Sequence, residues 1–181
     1  TKVWPSDFGY DKTMYSIERS LKSLNTDYLD ILYLHWPGDD MQSSWKAFEK
    51  MYDEKVVKNL AIANFLPKHY EIIVKNANIK PVINQVEIHP YKQMKELIEY
   101  YKQQYVQIIS WSPIARADKN LFLEKILLEL SEKYQKSIAQ IILRWHIQKG
   151  LVVIPKTKTE QRIVENIDIF NFELDEKEMN E

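Results

Sequence analysis

The chain has 181 residues, of which 45% are hydrophobic and 28% are charged, a composition typical of a globular domain. Its formal net charge of −1 lacks the basic excess of a nucleic-acid-binding surface, and the absence of cysteine excludes disulfides, thiolate zinc sites and thiol nucleophiles. No apolar run approaches the roughly 20 residues of a membrane-spanning helix, and no leader pattern opens the sequence, so we expect a cytoplasmic protein without a membrane partner.

Apolar periodicity predicts strands and helices in alternation along the chain. Continuous apolar runs predict six strands, at residues 1–4, 28–34, 56–63, 81–87, 106–111 and 151–155. Apolar residues at helical spacing predict helices at residues 12–24, 43–52, 67–77, 93–104, 121–134, 137–149 and 159–166, and a last helix that begins near Asp175. This alternation is typical of parallel strands joined by helical crossovers.

Two α/β architectures fit this alternation: an open doubly wound sheet, or a (β/α)8 TIM barrel that lacks two of its eight units. No G-x-G-x-x-G motif follows a predicted strand, which argues against the dinucleotide-binding open sheet. In a barrel, catalytic groups lie at the C-terminal ends of the strands. Polar and aromatic residues occur at these ends here, namely Lys2, His35, Trp36, Asn64, Gln85, Trp111, Ser112, Lys156 and Thr157.

Each of these strand-end residues has both a structural and a functional interpretation. His35 closes the apolar stretch DILYLHWP, where an imidazole can hydrogen-bond a substrate carbonyl, although a lone histidine is more often structural. Lys2 is either a solvated cation or a charge that lowers the pKa of a proton donor. Asn64 and Gln85 either cap turns or bind an amide group, and Trp111 either fills the core or stacks on a ring.

A second group of residues indicates an anion site. Lys156, Thr157 and Lys158 precede a predicted short helix that contains Arg162. Cations, a hydroxyl group and a helix N-terminus together bind phosphate groups, and the last loops of such barrels often do so. The alternative is a charged surface cluster.

The histidines do not indicate a metal. His35, His69, His89 and His146 are not spaced as a pair of ligands, so we predict no metal site. His89 precedes Pro90 and is interpreted as a residue that shapes a loop and lines the site.

Taken together and in this order, the motifs resemble the aldo-keto reductase family. Within it they are similar to the bacterial branch of glyoxal or methylglyoxal reductases, 2,5-diketo-gluconate reductases and prostaglandin F synthase-like enzymes. The matching stretches run the length of the chain: TKVW, SLKSLNTDYLDILYLHWP, IANF, KPVINQVEIHP, ISWSPIA and SIAQIILRWHIQKGLVVIPKT. The resemblance implies a (β/α)8 barrel and hydride transfer from NADPH to a small aldehyde or ketone.

The resemblance also implies a role for each matching position. His35 orients the substrate carbonyl, with Trp36 and His89 lining the substrate site, and Lys2 tunes the family's proton-donating tyrosine. The positions that match the family's NADPH-binding residues are Asn64, Gln85, Trp111, Ser112, Lys156, Thr157, Arg162, Glu165 and Asn166. Among them Lys156 and Arg162 suit the 2′-phosphate, which favours NADPH over NADH.

The resemblance leaves out two parts of the family's sequence, one at each end. The family's catalytic Asp and Tyr lie before the position of Lys2, so we expect residues 1–181 to be a single barrel domain without its first two βα units and its C-terminal tail. Six strands do not close an eight-stranded barrel, so the edge strands are expected to be open and to favour self-association. The alternatives to an active reductase are a non-catalytic NADPH-binding module and an inactive fragment.

Overall fold

The structure is a computed structural model that describes residues 1–180. It contains six parallel strands, and their order in the sheet follows the chain from β1 to β6. The strands are β1 (Lys2–Val3), β2 (Leu32–Leu34), β3 (Leu60–Ala63), β4 (Ile83–Glu87), β5 (Gln107–Trp111) and β6 (Val152–Val153). All six predicted strands are therefore present, although most are shorter than the apolar runs that predicted them.

Helices alternate with the strands as predicted. They are α1 (Tyr10–Leu24), α2 (Met41–Asp53), α3 (Pro67–Val74), α4 (Lys95–Gln103), α5 (Lys125–Tyr134), α6 (Ile138–Gln148), α7 (Glu160–Ile167) and α8 (Glu176–Asn180). Within residues 1–180, none of these helices is both long and apolar enough to cross a membrane.

One predicted helix is wrong as a single element. Residues 121–134 form a 3-10 turn, Leu121–Leu123, followed by α5. The Asp118 carboxylate accepts hydrogen bonds from the backbone N–H groups of Asn120 and Leu121, and Glu124 is extended (ψ 128°), so the turn ends before α5 begins. The strand predicted over residues 56–63 begins only at Leu60.

The chain divides into two compact units. The first comprises Thr1–Val86 and Glu96–Ile108. Here β2 pairs in parallel with β1 and with β3, and β3 with β4. Both β2 and β3 are buried along their whole length, as their continuous apolar sequences predict. The helix side of this core is filled by the largest buried side chains of the unit, Trp45, Phe48, Tyr70 and Tyr101.

The second unit comprises Glu87–Lys95 and the chain from Ile109 onward. In it β5 pairs in parallel with β6. Ser137 caps α6 by accepting a hydrogen bond from the Gln140 backbone N–H, and Gln140 returns the contact, as in a capping box. The apolar faces of α5 and α6 pack together through Leu127, Leu130, Ile141, Ile142 and neighbouring side chains. Within residues 1–180, β1 pairs only with β2, so self-association through an open edge stays a prediction.

Candidate functional site

The side chains of Lys2, Tyr33 and His35 lie on one face of the first unit's sheet. Lys2 and His35 are predicted site residues, and Tyr33 is in register with Lys2. Lys2 of β1 is in register with Tyr33 of β2, and the backbone N–H of His35 donates to the Val3 carbonyl at 3.0 Å. Because side chains alternate along a strand, Lys2, Tyr33 and His35 point to the same side. The Lys2 ammonium lies 5.4 Å from the centre of the Tyr33 ring, and the Trp4 ring packs edge-on against His35 at 4.8 Å.

The electrostatics of this group favour a neutral imidazole. Burial lowers the pKa of His35, and the positive charge of Lys2 lowers it further. Burial also lowers the pKa of Lys2, and no carboxylate among residues 1–180 forms an ion pair with it. A neutral imidazole carries one N–H, which can donate a hydrogen bond to a carbonyl oxygen held in front of it.

Asn64 and Gln85 lie on the next two strands of this unit: Asn64 follows β3, whereas Gln85, predicted at a strand end, is the central residue of β4. Asn64 has a left-handed backbone (φ 64°), which asparagine tolerates better than most residues, and its side-chain amide donates to the His35 carbonyl at 3.1 Å. Its backbone N–H donates to the Gln85 carbonyl at 2.9 Å. Gln85 is 7% exposed and pairs with Ala63. We call Lys2, Tyr33, His35, Asn64 and Gln85 the strand-end group.

In the second unit the predicted anion-binding residues line one cavity of about 620 Å³. Its polar lining includes Lys156, Thr157, Lys158, Arg162, Glu165 and Asn166, so the structure brings together all the residues of this set that the sequence singled out. Lys156, Lys158 and Arg162 form no ion pair with an acidic side chain in the described part of the chain. We call this site the basic pocket.

The segment that leads into α7 shapes the rim of the basic pocket. The Thr157 hydroxyl accepts a hydrogen bond from the Thr159 backbone N–H at 3.1 Å, which closes a short turn before the helix. Glu165 accepts a hydrogen bond from the Gln161 side chain at 2.7 Å, which fixes its carboxylate on the helix surface. Cations therefore flank one part of the pocket, whereas a carboxylate and an amide line another.

Trp111 and Ser112 lie at the end of β5, where the backbone turns sharply. Ser112 has a left-handed φ of 49°, and Ala115, Arg116 and Ala117 follow with φ of 48°, 56° and 59°. The Arg116 guanidinium lies over the Trp111 ring at 5.9 Å. Three successive left-handed residues that are not glycine store strain, at about 1–2 kcal/mol per residue.

His89 and Trp36 occupy loops. His89 and Lys92 exchange backbone hydrogen bonds across a tight turn, and the Lys92 ammonium pairs with Glu87 at 2.8 Å. His89 Nδ1 is buried and has no hydrogen-bond partner among the described residues. Trp36 is 40% exposed, so its ring is accessible beside His35.

Comparison with known proteins assigns the chain to a protein family. The family model described as the aldo/keto reductase family matches residues 1–181. The chain belongs to the aldo/keto reductase family. Among its relatives are glyoxal reductase of Bacillus subtilis (44% identical over 181 residues, 99% of this chain and 65% of the relative) and methylglyoxal reductase DkgA of Escherichia coli K12 (38% identical over 184 residues, 100% and 66%). The chain thus spans about two thirds of the length of these curated relatives.

Solved structures of aldo-keto reductases share its fold. An enzyme from a Medee basin deep-sea metagenome library superposes with a TM-score of 0.96 at 39% identity, covering 99% of this chain and 67% of that one. The D53A mutant of Gox0644 in complex with NADPH superposes with a TM-score of 0.93 at 34% identity, covering 99% and 67%. The predicted aldo-keto reductase barrel, with six of its eight βα units in this chain, is confirmed.

The aldo-keto reductase motifs alone do not predict Tyr33, a member of the strand-end group, or Trp4, which packs against His35. In the sequence, Tyr33 is part of a buried apolar run and Trp4 ends a predicted strand. The signal that could have found Tyr33 is its position two residues before His35, which places both side chains on one face of the strand. Trp4 has the same relation to Lys2.

Proposed function

We propose that the chain provides most of the active site of an NADPH-dependent reductase that converts small aldehydes or ketones, such as methylglyoxal, to alcohols. The observation that carries the proposal is the basic pocket, whose three cations lack acidic partners within residues 1–180. Family membership and the named activities of the two curated relatives support the same reaction class.

The residues fit the parts of NADPH. Lys156 and Arg162 would hold the 2′-phosphate, because guanidinium and ammonium groups make strong, charge-assisted hydrogen bonds to phosphate oxygens. Glu165 and Asn166 offer an acceptor and an amide that suit the adenine edge. In the first unit, Asn64 and Gln85 offer amides for the nicotinamide carboxamide. Trp111 and Ser112, with their ring face and hydroxyl, are assigned to cofactor binding by the family resemblance.

The bound cofactor supplies the hydride, and the strand-end group acts on the carbonyl oxygen. His35, held neutral by burial, donates a hydrogen bond that orients the carbonyl, and the family resemblance assigns Trp36 and His89 to substrate binding. By resemblance, the Lys2 charge would lower the pKa of the tyrosine that donates a proton to the oxygen. By resemblance, the tyrosine that protonates the alkoxide, and the aspartate that accompanies it, precede the position of Lys2 in the family.

A non-catalytic NADPH-binding module is the second candidate. The observation that favours it is the basic pocket, which gathers cations and polar groups for a phosphate-bearing ligand and can bind NADPH without any carbonyl being reduced. The two candidates are separated by measuring the decrease in NADPH absorbance when methylglyoxal is present. A reductase oxidises NADPH only when methylglyoxal is added, and His35→Gln lowers kcat with little change in NADPH affinity. Saturable NADPH binding without turnover would favour the module.

A further inference from the structure

Tyr33 touches two members of the strand-end group that lie on different strands. Its ring faces the Lys2 ammonium of β1 at 5.4 Å, and the Gln85 side-chain amide of β4 lies near enough to its hydroxyl to lower the pKa of Tyr33 as a hydrogen-bond donor. Burial raises the pKa of Tyr33, and this hydrogen bond works in the opposite direction. Tyr33 is 7% exposed, so it is a buried member of the strand-end group.

Small residues on the intervening strand make this reach possible. Tyr33 is in register with Ala61, and Ala63 is in register with Gln85. Both alanines are almost fully buried and pack with Tyr33 in one apolar cluster. One strand, β3, therefore separates Tyr33 from Gln85. Neighbouring strands lie about 4.8 Å apart, so two long side chains can meet across the strand between them when its residues are small.

We propose that Tyr33 is a positioning residue for NADPH reduction of carbonyls: its hydroxyl fixes the Gln85 amide and its ring fixes the Lys2 ammonium. The inference rests on the proposed function and deepens it. Because one Gln85 N–H is directed at Tyr33, the Gln85 carbonyl oxygen is directed away from it and can accept a hydrogen bond from the nicotinamide carboxamide. Because the ring attracts the cation, the ammonium stays beside His35.

Two substitutions separate the two contacts. Tyr33→Phe keeps the ring over Lys2 and removes the hydroxyl, whereas Tyr33→Leu removes both. Tyr28→Phe is the matched control, because Tyr28 is 42% exposed and its ring also faces a lysine, Lys58, at 3.9 Å, outside the strand-end group. The readouts are the NADPH Kd, the pKa of His35 by NMR titration, and the side-chain amide signals of Gln85, assigned with Gln85→Leu.

For Tyr33→Phe we expect the NADPH Kd to rise about 3- to 10-fold, as expected for one lost neutral hydrogen bond. The Gln85 amide signals shift in the cofactor-free protein, and the His35 pKa stays unchanged. For Tyr33→Leu we expect the same loss of affinity and also a rise of the His35 pKa, since Lys2 is no longer held beside it. Tyr28→Phe changes none of the three.

Wild-type affinity for NADPH in Tyr33→Phe, with a wild-type protein that binds NADPH saturably, would overturn the inference and leave the proposed function standing. Failure of the wild-type protein to bind NADPH would overturn the proposed function and the cofactor part of the inference. In that case the cofactor-free Gln85 signals decide the contact itself: signals that do not move in Tyr33→Phe refute it, and signals that move support it.

Discussion

Replacing His146 by leucine tests how the second unit holds the loop that follows β4. His146 of α6 is fully buried, and its two ring nitrogens lie 2.8 Å from the Ile142 carbonyl and 3.0 Å from the Ile88 carbonyl. Burial lowers the pKa of His146, so the ring is neutral and has one N–H for two acceptors. The Ile142 carbonyl is within hydrogen-bonding reach of α6 itself, so the Ile88 carbonyl is the one that needs the ring.

His146→Leu keeps most of the volume and leaves the Ile88 carbonyl buried without a partner. The expected loss in the free energy of unfolding is about 1–3 kcal/mol. With a urea m-value of about 2 kcal/mol/M, the unfolding midpoint falls by roughly 0.5–1.5 M. The assay is urea denaturation followed by tryptophan fluorescence. His69→Gln is the control, because His69 is partly exposed and glutamine preserves an acceptor for the Leu66 N–H. A midpoint for His146→Leu that matches the control would refute the reasoning.

Three other expectations follow from the described contacts. Since the Lys2 charge lowers the pKa of His35, Lys2→Met raises that pKa toward the ordinary value of about 6.5, as an NMR titration of the histidine will show; an unchanged value contradicts the electrostatic coupling. Replacing both Lys156 and Arg162 by alanine weakens NADPH binding at least about 10-fold while NADH binding changes little, measured by calorimetry; equal losses for the two cofactors contradict a 2′-phosphate site. Ala117→Gly relieves a left-handed residue (φ 59°) and raises the free energy of unfolding by up to about 1 kcal/mol in urea denaturation; destabilisation contradicts the strain.

Acid is expected to lower the free energy of unfolding, because the histidines bind protons more readily in the unfolded state than in the folded state. The pKa values of His35, His69, His89 and His146 are all lowered, with burial the largest cause in each. An unfolded histidine takes up a proton near pH 6.5, whereas the folded one resists it, so the unfolded state binds more protons below that pH. The free energy of unfolding therefore falls as the pH decreases below about 6.5, and His146→Leu should reduce that dependence.

Apolar patterning predicted the order of the elements well because parallel strands and amphipathic helices differ in period. It overestimated the strand at residues 56–63, since Val57 is buried through a bridge to Leu29 and not through the sheet proper. It merged the turn at Leu121–Leu123 with α5, because the apolar spacing runs on while the backbone breaks at an extended Glu124. Periodicity records burial, and burial does not require regular hydrogen bonding.

The site residues that could be predicted are those in which a polar side chain directly follows a buried strand. Polar residues that close buried runs, such as His35 and Asn64, stand out in the sequence, and the charges near Lys156 do so as well. Tyr33 was not predictable in this way, because its role depends on which residues lie beside it on neighbouring strands. The two alanines of β3 give it that role, and their small size is visible only once the register is known.

The measurement that tests the central claim most directly is an equilibrium titration of the protein with NADPH and, separately, with NADH, followed by tryptophan fluorescence. Trp111 is the expected reporter, with Trp111→Phe as its control. The account predicts saturable quenching at lower concentrations of NADPH than of NADH, and loss of that preference when Lys156 and Arg162 are replaced. Absence of saturable quenching, together with no heat of binding by calorimetry, would contradict the claim that these residues form an NADPH site.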